Sequence, residues 1–150
     1  MPKHQDLVHS TYSTSQIYDM VADIEKYPEF LPWCSNARII NRKNNILEAE
    51  LVVSYKKFSQ NYISKVELSP PDELGHCSIE VKAITGPFKH LINKWEFIKT
   101  DTGCNINFLI DIAFSNIIFE QLLGSFFDNA STKMVSAFEK RADFLYKGTK

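Results

Sequence analysis

Between Arg38 and Phe114 apolar residues recur at every second position, the period of strands that turn one face toward a core. One set collects Leu47, Ala49, Leu51, Val53 and Tyr55, then Tyr62, Val66 and Leu68, then Ile79, Val81 and Ala83. It continues with Leu91, Trp95 and Phe97, and ends with Ile106, Phe108, Ile110 and Ile112. The alternate positions carry Glu48, Glu50, Lys65, Glu67, Glu80, Lys82, Lys94, Glu96, Asn105, Asn107 and Asp111. Breaks at Asn44-Asn45, Ser69-Pro70-Pro71-Asp72, Gly86-Pro87 and Asp101-Thr102-Gly103 divide the run into successive antiparallel strands. A sheet with one apolar and one polar face needs cover on the apolar side only.

Both flanks of this run supply helices. After a short alternating segment, Asp6 to Tyr12, the tetrapeptide Ser13-Thr14-Ser15-Gln16 has the form of a capping box, and Ile17, Met20, Val21 and Ile24 follow at helical spacing. Tyr27-Pro28 and Leu31-Pro32 are expected to end this short helix, since proline brings no backbone donor and disfavours helical geometry in the residue before it. The intervening loop is unusually apolar. At the other end Ser115 or Asn116 is placed to cap a segment reaching about Tyr146. Within it Phe119, Leu122, Leu123, Phe126, Phe127, Ala130, Met134, Ala137, Phe138, Arg141 and Leu145 step by three and four. Such a helix is about 45 Å long, enough to cross a sheet of six or seven strands. Gly124 marks a bend, a close backbone approach or a merely tolerated glycine. The expected fold is α+β: a curved antiparallel sheet of six to seven strands around a long C-terminal helix, with two short helices after the first strand. Residues 1–150 read as one domain, without repeats or a linker. A twisted sheet and a straight helix cannot touch everywhere, so the space between them is either packed or left as a cavity.

Composition narrows the chemistry. The chain is 44% hydrophobic and 23% charged, with 17 Lys+Arg against 18 Asp+Glu, a net charge of -1 that disfavours DNA as a partner. No apolar run approaches the roughly 20 residues of a membrane span, and Met1 to Leu7 has no signal-peptide core, so a cytoplasmic location is expected. Cys34, Cys77 and Cys104 are widely spaced and odd in number, which fits a reducing compartment and neither a disulfide framework nor structural zinc. His4, His9, His76 and His90 lack ligand spacing, so no metal is expected. There is no Gly-x-Ser-x-Gly elbow, His-Glu-x-x-His pair, Walker loop or dinucleotide signature, and the chain reads as a non-enzyme. Abundant Lys, Asn and Ile match the usage of an AT-rich bacterial or organellar genome.

The order strand, short helices, strands, long helix resembles the helix-grip fold of START lipid-transfer domains, birch-allergen-like proteins and polyketide cyclase-like proteins. Three motifs narrow the match. These are Tyr27-Pro28-Glu29-Phe30-Leu31-Pro32-Trp33-Cys34, then Gly86-Pro87-Phe88-Lys89-His90-Leu91 with Trp95-Glu96-Phe97, and finally Met134-Val135, Ala137-Phe138, Arg141-Ala142 and Leu145-Tyr146. Together they resemble the coenzyme Q-binding protein family, over about Ser10 to Tyr146. The resemblance implies no catalytic cofactor. It implies instead that ubiquinone or a related polyisoprenoid is bound as a ligand and delivered to respiratory complexes or to enzymes of quinone synthesis, with peripheral contact at the inner membrane. Bacterial relatives of this family also carry a second label, a toxin that obstructs association of ribosomal subunits, which makes the ribosome the alternative partner.

Candidate ligand-binding residues follow. Phe30, Leu31, Pro32 and Trp33 form an apolar group on a loop, either a gate at one end of a cavity or a plug that closes the barrel. Trp95 and Tyr55 each carry a polar handle for a quinone head, with Phe97, Phe108 and Ile110 along the tail path; a packed core would use the same residues. Phe88 joins them from the Gly-Pro-Phe turn, and Phe126, Phe127, Met134 and Phe138 from the helix, where a core stripe has the same composition. A pocket of the usual size, roughly 300–1,000 Å³, does not enclose a long polyprenyl tail, so part of the tail protrudes or the helix shifts. Lys56, Lys57, Lys89 and Lys94 are candidates to meet anionic headgroups, or are ordinary solvated charges.

Overall fold

Seven antiparallel strands carry out the alternation: β1 (Lys3–Ser10), β2 (Cys34–Lys43), β3 (Ile46–Tyr55), β4 (Phe58–Ser69), β5 (Cys77–Ala83), β6 (Phe88–Thr100) and β7 (Gly103–Phe114). The structure is a computed structural model that describes residues 3–55 and 58–147. The sheet order is β1-β7-β6-β5-β4-β3-β2. The first strand therefore closes one edge against β7, and the chain crosses to begin β2 at the opposite edge. That crossing is made by α1 (Thr14–Ala22) and a 3₁₀ segment (Ile24–Glu29), and the fold ends in α2 (Ile117–Tyr146).

Both helix starts are set by local capping. Ser13 Oγ accepts the Gln16 N–H at 3.1 Å while the Gln16 side chain accepts the Ser13 N–H at 3.0 Å. Asn116 Oδ1 accepts the Phe119 N–H at 3.0 Å, so of the two expected caps it is Asn116 that acts. The end of the first helix differs from expectation. It stops at Ala22, and Pro28 lies inside the 3₁₀ segment, a conformation whose usual φ of about -50 to -70° suits the proline ring. β1 also runs earlier than Asp6 to Tyr12, because pairing with β7 extends it from Lys3 to Ser10.

Register places the apolar positions in rows on the concave face, with Leu51 opposite Tyr62, Val66 opposite Val81, Ile79 opposite Trp95 and Trp95 opposite Phe108. Leu47, Val66, Ile79, Phe97, Phe108 and Ile112 are fully buried there. The turns that lead into β6 and β7 need glycine. Gly86 has φ +106° and a Cβ on it would meet Tyr62 Cβ at 2.6 Å. Gly103 has φ +149° and a Cβ would meet the Ser10 carbonyl oxygen at 2.0 Å, where β1 passes the β6–β7 turn. At Gly124 a Cβ would meet only Glu120 Cγ, at 4.0 Å, so of the three alternatives a close backbone approach is excluded. Nor does the apolar stripe of α2 cover the sheet along its full length. Leu122 and Leu145 are exposed, and Ile117 and Ile118 share that exposure.

Candidate functional site

Where the middle of α2 passes over the centre of the sheet, the two do not meet completely. They leave a cavity of about 80 Å³. Its floor is Leu51 and Val53 of β3, Tyr62, Ser64 and Val66 of β4, Val81 of β5, Leu91, Asn93 and Trp95 of β6 and Ile110 of β7. Phe127, Ala130, Ser131, Met134 and Phe138 of α2 roof it, and Ile24, Tyr27, Leu31, Trp33 and Cys34 close one end. No Asp, Glu, Lys, Arg or His is among these residues. The volume lies well below the roughly 300 Å³ at which ligand pockets begin, so a lipid enters only if a wall gives way.

The sequence-predicted residues divide into three groups. Leu31, Trp33, Trp95, Ile110, Phe127, Met134 and Phe138 line the cavity. Pro32, Tyr55 and Phe126 border, with Trp33, an outer crevice beside it, where the Tyr55 and Phe126 rings lie 4.8 Å apart. Phe30 turns outward from the same loop and packs edge-on against Tyr27 and Phe138. The third group departs from expectation. Phe97 and Phe108 do not line the cavity: both are fully buried against Trp95, at centroid distances of 6.0 and 4.7 Å. They share the concave face but lie in its packed part, beyond Trp95. Phe88 likewise packs among Tyr62, Phe114 and Phe127. The polar handle of Trp95 is engaged within the protein, its Nε1 donating to Asn93 Oδ1 at 3.0 Å. Lys94 and Lys89 are exposed away from the cavity, and Lys56 and Lys57 lie outside the described residues.

Sequence reasoning missed three polar residues of the wall, Ser64, Asn93 and Ser131. Two of them interrupt apolar beats, Tyr62-x-Ser64-x-Val66 and Leu91-x-Asn93-x-Trp95, and that interruption was the available signal. Asn93 Nδ2 donates to the Leu109 carbonyl at 3.0 Å. Tyr27, whose hydroxyl donates to the Val21 carbonyl, and Tyr62 both have phenol pKa values raised, chiefly by burial.

Trp95 and Phe138, with ring centroids 5.0 Å apart, also line a second hollow of about 190 Å³. It lies between the end of β1, α1 and the C-terminal half of α2, and Tyr12, Glu139 and Asp143 give it polar walls. The Tyr12 hydroxyl donates to Asp143 Oδ1 at 2.7 Å, a bond that raises the phenol pKa. Burial first, then Asp143 and Asp6, raise the Glu139 carboxyl. On the outside, Arg141 Nη2 donates to Glu29 Oε1 at 2.9 Å, which lowers the Glu29 pKa. The guanidinium also lies 5.1 Å from the ring centroids of both Phe30 and Phe144. Arg141 thus ties the Phe30–Trp33 loop to α2.

The three thiols are buried, and burial pushes them up to about 11 for Cys34, about 12 for Cys77 and about 11 for Cys104, values that leave them unreactive at neutral pH. Among the described residues no group of His, Cys, Asp and Glu is arranged to hold a metal ion, and no helix is long and apolar enough to cross a membrane.

A curved seven-stranded sheet gripping one long C-terminal helix, with an apolar cavity between them, defines a helix-grip protein of the START and polyketide cyclase type. The chain belongs to the polyketide cyclase / dehydrase and lipid transport family, whose match spans residues 10–139. It is 41% identical to the ribosome association toxin RatA of Rickettsia prowazekii, over 91% of this chain and 92% of that one. It is 30% identical to the mitochondrial coenzyme Q-binding protein COQ10 homolog B of Xenopus laevis, over 90% of this chain but only 55% of that protein. Among solved structures, the 18 kDa protein CC1736 from Caulobacter crescentus is 27% identical with a TM-score of 0.71, covering 97% of this chain and 99% of that one. The Zhui aromatase/cyclase from a Streptomyces species has a TM-score of 0.81 at 13% identity, covering 98% and 96%, a likeness of fold alone.

Proposed function

We propose that this chain binds ubiquinone or a related polyisoprenoid without transforming it, and delivers it to respiratory complexes or enzymes of quinone synthesis. The observation that carries the reading is the wall of the cavity. Two tryptophans, two phenylalanines and a methionine face a space between sheet and helix that no ionisable Asp, Glu, Lys, Arg or His borders. Such a wall suits an aromatic, uncharged head and offers no carboxylate or imidazole to move a proton. The head lies against Trp33 and Trp95, Met134 and the Leu31–Trp33 loop yield to admit it, and the tail leaves through the crevice bordered by Pro32, Tyr55 and Phe126. The relative named for coenzyme Q binding supports the choice of lipid.

Organic extraction of the purified protein, followed by mass spectrometry, tests this directly when the expression host makes ubiquinone. Recovery of stoichiometric quinone is the expected result. Recovery of none, together with tryptophan fluorescence that does not respond to added short-tailed ubiquinone, would remove the proposal.

A second reading has its own support, the 41% identity to a protein named as a ribosome association toxin. In that reading the chain acts on ribosomal subunits through its surface. Overproduction followed by a sucrose gradient decides it: a ribosome-directed protein raises free subunits at the expense of whole ribosomes, and an unchanged profile rejects that role.

A further inference from the structure

Ser64 differs from every other residue of the cavity wall. Its side chain is fully buried, and its Oγ has no hydrogen-bond partner among the described residues. Buried hydroxyls are nearly always paired, because leaving one unpaired forfeits the hydrogen bonds it makes in water. Strand register sets Ser64 level with Ala49 on β3 and Ala83 on β5, whose side chains cannot bond it. Three polar side chains of the wall are engaged elsewhere: Trp95 Nε1 on Asn93 Oδ1, Asn93 Nδ2 on the Leu109 carbonyl, and the Tyr27 hydroxyl on the Val21 carbonyl. Thr100 Oγ1 is also buried and unpartnered, but it does not line the cavity.

We infer that the Ser64 hydroxyl is the polar anchor of the lipid site, and that it selects neutral, largely apolar molecules presenting an acceptor oxygen, such as the carbonyl of a quinone. This rests on the proposal that the cavity holds a lipid, and names the chemistry the head must have. A hydroxyl donates one hydrogen bond and carries no charge, so it can pair with a neutral carbonyl oxygen but cannot neutralise the charge of an ionised group. With no cation in the wall, an ionised carboxylate or phosphate would be stripped of water without a counter-charge. Fatty acid anions and phospholipid headgroups are thereby excluded from this chamber, while their neutral, carbonyl-bearing counterparts are admitted.

The test uses the full chain, purified, with short-tailed ubiquinone and ionised palmitate as probes, followed by tryptophan fluorescence and by infrared spectroscopy of the quinone carbonyl. Wild-type protein is expected to bind the quinone, to shift its carbonyl stretch to lower wavenumber, and to bind palmitate far more weakly. Ser64→Ala removes only the unpaired hydroxyl, so its melting temperature without quinone should equal or exceed that of wild type. Its quinone affinity should fall on the order of tenfold, the worth of one hydrogen bond, with loss of the carbonyl shift. Unchanged affinity and an unchanged carbonyl shift in Ser64→Ala overturn the anchor while leaving the cavity as the lipid site. Palmitate bound as tightly as quinone overturns the selection for neutral heads. Wild-type protein that binds no quinone at all overturns the lipid proposal itself, and the anchor with it.

Discussion

Trp95 and Phe138 face two hollows at once, and what lies on their two sides is unlike. Under the middle of α2 is a space of about 80 Å³ whose wall contains no ionisable acid or base of the Asp, Glu, Lys, Arg or His type. Toward β1 and the C-terminal turns of α2 is a space of about 190 Å³ bordered by Tyr12, Glu139 and Asp143. The larger is the poorer place for an oily guest, since its carboxylates hold water and resist burial. Wall chemistry, not volume, therefore points to the smaller space as the proposed lipid chamber, and Trp95 and Phe138 stand between its apolar wall and the acids of the other.

Removing that partition is the strongest way to break the contrast. Phe138→Ala should cost about 3–5 kcal/mol in urea unfolding, as for other buried aromatic truncations, and should shift tryptophan emission to the red as water reaches Trp95. Destabilisation without a red shift would mean that the chambers are kept apart by something else. Trp33→Ala comes next, at about 1.5–3 kcal/mol, because Trp33 is only partly buried at the closing end of the apolar chamber. A gate residue loses quinone co-purification out of proportion to folded yield; equal losses would make the loop a plug.

The smaller effects concern charge. Arg141→Ala should cost about 1–2 kcal/mol, because its stem packs beside Phe30 and Phe144 as well as pairing with Glu29, and stopped-flow quinone association should become faster as the loop loosens. Arg141 holds the folded-state pKa of Glu29 below the ordinary 4.5. The contribution of this pair is therefore complete above that value and is lost as pH falls through the lowered one. Arg141→Ala should remove that part of the acid limb in a melting-temperature profile, and an unaltered limb would deny the pair any role. Glu139 has the opposite sign. Its folded pKa is raised, so the fold binds the proton more tightly, and its burden appears as pH rises from 4.5 through the raised value. Glu139→Gln should thus raise the melting temperature slightly at neutral pH and leave it unchanged well below 4.5; an effect of equal size at both ends would deny the titration.

Much of the site was legible. The motifs around Trp33, Trp95 and Phe138 led to residues that do line the cavity, as did the helix stripe through Phe127 and Met134. Phe97 and Phe108 were misplaced because period-two alternation tells which face of a sheet a side chain occupies, not which part of that face a helix leaves uncovered. Ser64 and Asn93 escaped for a related reason. A polar residue on an apolar beat reads as an interruption until the groups around it are known.

By itself, the sequence determined the strands, the capping box at Ser13, a cap at Ser115 or Asn116 and the covering helix, since each depends on neighbours a few positions away. Tertiary structure alone decided where the apolar face closes up and where it stays open, which hydroxyl is left without a partner, and that one tryptophan and one phenylalanine divide the interior. Those outcomes depend on how a twisted sheet meets a rod, and so on distances between residues far apart in the chain.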